Sequence, residues 1–267
     1  MTRLRVMLDK ELLDVMRNRA ALFPVVLVTL VTVALPFVIA IGIPAATGER
    51  LGEDADLIRV ATASTSTAAG HDVAPDARVQ AFLFEQFLLL FLMAPMTGAM
   101  TLAAHSVVGE KLARTLEPLL ATPLRTSELL AAKMLGALLP TLAISAAGLV
   151  MYVAGVAALA EPGVLAIVIN ARSIAMVALV GPGAALVALQ LTVLVSSRVN
   201  DPRTAQQFGV LLIVPLVGLM VAQFTSMLAL TARALTAVGL ALGAIWIVLL
   251  AVSATVFDRE AVLTRWR

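Results

Sequence analysis

Six stretches of this chain run without a single charged side chain, each between 24 and 29 residues long: 20–48, 86–109, 134–160, 173–197, 204–232 and 234–257. A hydrocarbon layer about 30 Å thick needs about 20 apolar residues in a helix to cross it. Each run satisfies that length. A backbone in lipid must satisfy its own N–H and C=O groups, so such runs fold as helices. The composition agrees. Hydrophobic residues make up 61% of the 267 and charged residues 13%, far from the balance of a soluble domain. The expected fold class is therefore all-α, a polytopic membrane protein of six transmembrane helices.

The same distribution sets an orientation. Lys and Arg accumulate in cytoplasmic segments next to spans. With the N-terminus inside, 14 of the 19 basic residues fall on the inner side and 5 on the outer side. Both termini are expected in the cytoplasm. Residues 1–19 carry both signs of charge and no apolar core, so they read as an interfacial helix rather than a cleavable signal. Residues 48–85 form the one long outer segment. Its VATASTSTAAGHD composition suits a flexible extracellular loop.

Several chemistries have no foundation here. There is no cysteine, and the two histidines, His71 and His105, do not form a metal-binding cluster. No G-x-x-x-x-G-K-[ST] occurs, so no P-loop binds ATP on this chain. No hydrolase motif is present, and a net charge of +2 gives no basis for nucleic-acid binding. The chain is expected not to be an enzyme and to carry no cofactor or metal.

Between the second and third runs lies GEKLARTLEPLLATPLR, residues 109–125. On a helix, Leu112, Leu116, Leu119 and Leu120 share an arc of about 100°, with Glu110, Arg114 and Glu117 opposite and Lys111 at the edge. Pro118 should bend this amphipathic helix, and Pro123 should end it. Thr126 or Ser127 can then cap the next helix, with Glu128 in its first turn. A plain interfacial linker would also fit. The alternating charge of the polar face suits a protein partner better than anionic lipid, which would select Lys and Arg without Glu.

Polar residues inside the spans are few. Gln190 and Gln223 could line a substrate path or simply join helices by hydrogen bonds. Glu85 is expected in the outer headgroup region. Gly239 and Gly243 form a small-residue pair that permits close helix approach. Pro36, Pro95, Pro140, Pro182 and Pro215 fall one in each of the first five spans and should kink them.

The pattern Glu110-Lys111, Thr115-Leu116-Glu117, Leu119-Leu120, Thr122-Pro123, then Glu128-Leu129-Leu130 and Lys133 resembles the cytoplasmic signature of ABC export permeases of the sodium- and drug-export type. Arg114 departs from the Gly that many members carry. Lys10–Arg19 resembles the family's N-terminal interfacial helix, and Ser196–Gln207 its second cytoplasmic loop. The resemblance implies a membrane subunit that pairs with a cytoplasmic ABC ATPase and with a second permease copy or paralogue in the plasma membrane. ATP and Mg would sit on the ATPase. Residues 109–125 would be the coupling helix. Glu110, Lys111, Arg114, Thr115, Glu117, Thr122 and Pro123 would meet the ATPase, and Leu112, Leu116, Leu119 and Leu120 would anchor the helix. Arg198, Asp201 and Arg203 would make a smaller second contact, with Asp201 as an N-cap. An ion-driven secondary transporter would want charges near the midplane and internal repeats, and neither is found. A non-transporting membrane scaffold is disfavoured only by the resemblance.

Overall fold

A computed structural model of the chain describes residues 3–48, 50–64, 73–112, 126–196, 201, 204, 207, 213–215, 217–219, 221 and 231–256. Every element among the described residues is helical. Five helical stretches are long and apolar enough to cross a membrane: Arg19–Thr47, Pro75–Ser106, Ala131–Leu159, Ala171–Ser196 and Ala232–Ser253. The expected span 204–232 lies largely outside the described residues.

Helix α1 (Arg3–Arg17) precedes α2 (Arg19–Phe37), and Asn18 caps α2 by accepting from the Ala21 N–H at 3.1 Å. A π turn at Val38–Gly42 leads into α3 (Ile43–Thr47). Part of the segment expected to be a flexible outer loop is helical. It contains α4 (Ala55–Ser64) and the first turns of α5 (Pro75–Phe91). The helix therefore begins 11 residues before the uncharged run that marked it. Pro75 supplies the preset φ of a first helical residue. Asp76 accepts from the Gly52 N–H at 2.6 Å and closes the start of α5 onto the preceding loop.

Helix α5 continues, after a single turn residue at Leu92, into α6 (Met93–Leu112). Together they form the bundle's central element. In its most apolar window 83% of residues are buried, against 22% for Ala131–Leu159 and 6% for Ala232–Ser253. Around it stand α2, α7 (Thr126–Leu159), α10 (Gly181–Ser196) and α11 (Ala232–Val256), the last packed mainly on α10. Between α7 and α10 the chain forms two short helices, α8 (Val164–Val168) and α9 (Ala171–Ala175), and a second π turn, Met176–Val180.

The irregular turns have a common cause. A proline ring crowds the carbonyl four residues before it. For Pro44 and Pro182 that carbonyl belongs to Ala40 and Ala178, each in the middle of a π turn. For Pro95 it belongs to Phe91, the residue before the Leu92 break. At these three prolines the helix widens or breaks where the ring would otherwise collide. Pro24 and Pro36 in α2 and Pro140 in α7 lie within continuous α-helix, although Pro36 and Pro140 were expected to kink their spans.

Glu85, expected in the outer headgroup region, has protein partners. It is buried on α5, paired with Arg172 at 3.5 Å and bonded by the Asn170 side-chain amide. Asn170 also caps α9 by accepting from the Ser173 N–H at 2.9 Å. At the preceding residue, the Tyr152 hydroxyl donates to the Phe84 carbonyl at 2.6 Å, inside a cluster of Phe37, Phe84 and Tyr152 rings. These contacts clamp the α8–α9 connection and α7 onto the central element.

Glycines set the closest approaches. A Cβ on Gly98 of α6 would lie 2.7 Å from Thr141 of α7 and 2.9 Å from Val25 of α2. In the small-residue pair of α11 the two glycines differ. A Cβ on Gly239 would meet Leu179 at 2.8 Å, whereas at Gly243 nothing among the described residues lies within 4 Å. Gly98→Leu should therefore overpack the three-helix contact and cost about 1–3 kcal/mol. Gly243→Ala should leave stability unchanged. Thermal melting of the two purified variants in detergent checks the contrast.

Candidate functional site

Helix α1 crosses the last turns of α6 and the first turns of α7, the two helices that flank the expected coupling stretch. On α1 a buried stripe repeats every four residues: Met7, Glu11, Val15. Met7 packs with Leu129 and Ala132 of α7, and Val15 with Met134 and Ala137. Glu11 falls between them, on the apolar face. The backbones are close enough that a Cβ on Gly136 would stand 2.6 Å from the Glu11 Cβ. Glycine is required there by the approach, because any side chain would push α1 away.

A carboxylate in that position must be paired. Lys133 of α7 meets it, Nζ to Oε1 at 3.2 Å, with the two side chains only 5% and 3% exposed. Ser106 of α6 donates from its hydroxyl to Glu11 Oε2 at 2.8 Å. Lys133 Nζ also donates to the Ser106 hydroxyl at 3.3 Å and carbonyl at 3.5 Å. Lys10, half exposed, adds a further contact to Glu11 at 3.3 Å and to Asp14 at 3.2 Å. Three helices are thus joined through one carboxylate. Burial pushes the Glu11 carboxyl up. The Lys133 and Lys10 charges and the hydrogen bonds from Ser106 and Lys133 outweigh it and hold it below its ordinary value.

This tie lies close to the expected coupling helix. Ser106 is six residues from the end of α6, and Lys133 seven from the start of α7. At 1.5 Å per residue, both are about 10 Å from where the chain enters and leaves 113–125.

Of the residues expected to meet an ATPase, Glu110 and Lys111 lie in the last turn of α6 beside Leu112, but their side chains are outside the described residues. Arg114, Thr115, Leu116, Glu117, Leu119, Leu120, Thr122, Pro123, Arg198, Arg203 and Gln223 also lie outside them. Asp201 accepts from the Thr204 N–H at 3.2 Å and from its hydroxyl at 3.1 Å, the i,i+3 geometry of an N-cap. Gln190 of α10 donates to the Ser253 hydroxyl of α11, a helix–helix bond. Helix α7 starts at Thr126 with Glu128 in its first turn.

Sequence reasoning placed Lys133 only within a motif and did not single out Glu11 or Ser106. The signal was available. A glutamate four residues from each of two apolar residues, on a stripe that must face protein, requires a cation on the facing helix.

A family model described as ABC-2 family transporter protein matches residues 5–235. The chain belongs to that family. No curated protein and no solved structure matches the chain. The matched region begins within α1 and ends within the last helix, so it includes all three members of the tie. This is a multi-pass membrane protein and the permease component of an ABC transporter.

Two outcomes test the tie in the ABC-2 permease. Glu11→Ala removes the carboxylate that faces the buried Lys133 ammonium and the Ser106 hydroxyl, and breaking this buried pair should cost about 3–5 kcal/mol. Pairing Glu11→Ala with Lys133→Met should recover most of that loss, because a buried pair is often replaced by apolar groups at little cost. Melting temperatures of the single and double variants give the answer. Because the folded carboxyl titrates below its ordinary value, its contribution is complete above about pH 4.5 and is lost as pH falls through the lowered value. Acid should destabilise the wild type more than the double variant between those two values. Melting curves across that range check it.

Proposed function

We propose that this ABC-2 permease is the membrane subunit of an ATP-driven exporter in the plasma membrane. It acts with a second permease copy or paralogue and with a separate cytoplasmic ABC ATPase that carries ATP and Mg. The observation that carries this reading is the Glu11–Ser106–Lys133 tie, which joins α1 to both helices that flank 113–125. A segment fixed at both ends to cross-linked helices transmits displacement; one hung on independent helices would only bend.

The mechanical path follows from the packing. A load on 113–125 reaches α6 and α7 together because Glu11 holds them through α1. Helix α6 is the central element, in contact with α2, α7 and α10, so it cannot shift without moving the bundle. The Leu92 break and the Met176–Val180 turn are where the helices already depart from regular hydrogen bonding, so bending concentrates there. ATP binding and hydrolysis on the partner supply the energy. The residues of this chain receive and convert it: Glu110, Lys111, Arg114 and Glu117 as the polar docking face, with Arg198 and Arg203 as a second contact, and the N-terminus and C-terminus on the ATPase side.

Two measurements test the assignment. The purified chain alone should hydrolyse no ATP; intrinsic turnover would refute a two-subunit mechanism. Reversing charge at both Arg114 and Glu117 should abolish co-purification with the ATPase while membrane insertion stays at the wild-type level. Retained binding with retained stimulation would place the contact elsewhere.

A further inference from the structure

Halfway across the bundle, a groove of about 220 Å³ opens between α7, the Leu92 break and the second π turn. Leu92, Pro95, Ser145, Ala146, Val177 and Pro182 are among its lining residues. Ser145 is the central residue of the Ala131–Leu159 span, so the groove lies at the midplane of the hydrocarbon. Ala146 is exposed on the outer surface of α7, so the groove opens sideways toward lipid.

Its lining is apolar apart from the Ser145 hydroxyl. That hydroxyl belongs to a residue only 6% exposed, and it has no hydrogen-bond partner. Several other hydroxyls of these helices behave differently, although Ser196 at the end of α10 is likewise buried without a hydrogen-bond partner. Thr29, Thr97, Thr141 and Thr192 each donate to the carbonyl one turn back, at 2.6–2.9 Å, and Ser253 does the same. Of these two unpaired hydroxyls, Ser145 lines the groove and Ser196 does not.

Three occupants can be compared. A buried water needs two to four polar partners, and the groove offers one. The chain of a resident phospholipid brings only methylene and methyl groups to this depth, because its ester oxygens sit about 15 Å away at the edge of the hydrocarbon. A largely apolar molecule that carries an oxygen acceptor into the midplane fills the groove and pairs the hydroxyl. The walls also favour a mobile occupant over a permanent one. The Leu92 break, Pro95, the π turn and Pro182 border the groove, so the bends through which the bundle changes shape also change this cavity.

We propose that this groove is a cargo site for an uncharged, mainly apolar molecule with a carbonyl or ether oxygen, entering sideways from the membrane interior and held by the Ser145 hydroxyl. The proposal rests on the permease reading and specifies its substrate class.

The test uses the full chain in lipid nanodiscs and a long-chain 4-alkylbenzophenone, an apolar ketone that is also photoreactive. The probe should cross-link to the segments around Ser145–Ala146 and Val177–Pro182. Ser145→Ala should raise the half-labelling concentration roughly 5- to 10-fold, the equivalent of one hydrogen bond. Ala146→Trp, which plugs the mouth from an exposed position, should abolish labelling there. In both variants, a phosphatidylcholine with a diazirine at the end of one acyl chain should label exposed Val150 as in the wild type, showing that the fold and lipid contact persist. Equal benzophenone labelling in wild type and both variants would overturn the proposal. So would strong groove labelling by the diazirine lipid that the benzophenone fails to compete away, because the groove would then hold resident lipid. Labelling is read without the ATPase. A failure of ATPase association with groove labelling intact would remove the exporter reading, whereas the reverse result would remove the cargo site alone.

Discussion

A carboxylate on the apolar face of a short amphipathic helix is the interaction on which this arrangement depends. Glu11 cannot face solvent without turning Met7 and Val15 out with it, and cannot stay buried without Lys133. The two requirements together fix how α1 lies across α7. Gly136 then allows the backbones to come within contact, and Ser106 brings in α6. Buried ion pairs contribute little net stability compared with a well-packed apolar contact. What this one supplies is register: a helix held only by apolar contacts can slide, whereas a carboxylate bonded to both Lys133 and Ser106 fits in one position.

The second constraint is proline in helices surrounded by lipid. A proline removes one N–H and crowds one carbonyl, and no water is at hand to compensate. Here the helix widens into a π turn before Pro44 and Pro182, and breaks at Leu92 before Pro95. Two of the three irregularities border the midplane groove. Weak backbone bonding and an open cavity therefore occur together, which is where a transporter would need both a bend and a space.

Membership of the ABC-2 family and the internal geometry bear on different parts of the function. The family establishes a transport protein of the membrane. The tie, the central helix and the groove concern how such a protein would be driven and what it would accept. The glycine pair of α11 shows why geometry is needed. Sequence treats Gly239 and Gly243 alike as small residues for close packing. In the fold, Gly239 seats Leu179 within the same chain, whereas no described residue comes within 4 Å of a Cβ at Gly243.

The chain's own order of residues determined the helical class and most of the spans. Hydropathy and charge act locally and can be summed along the chain, so these features are legible without a fold. The N-cap at Asp201 and the start of α7 at Thr126 are local in the same way. Tertiary structure decided what depends on a partner distant in sequence. The neighbours of Glu85 alone could not reveal its pairing with Arg172, 87 positions away. The helix beginning at Pro75 was hidden because charged residues interrupt the apolar run even where Arg78 and Glu85 sit in a protein-covered helix. Glu11 and Lys133 lie 122 positions apart, and only the crossing of α1 over α7 makes them a pair. Charge in lipid is tolerated only beside its partner, and which residues become neighbours is settled by packing.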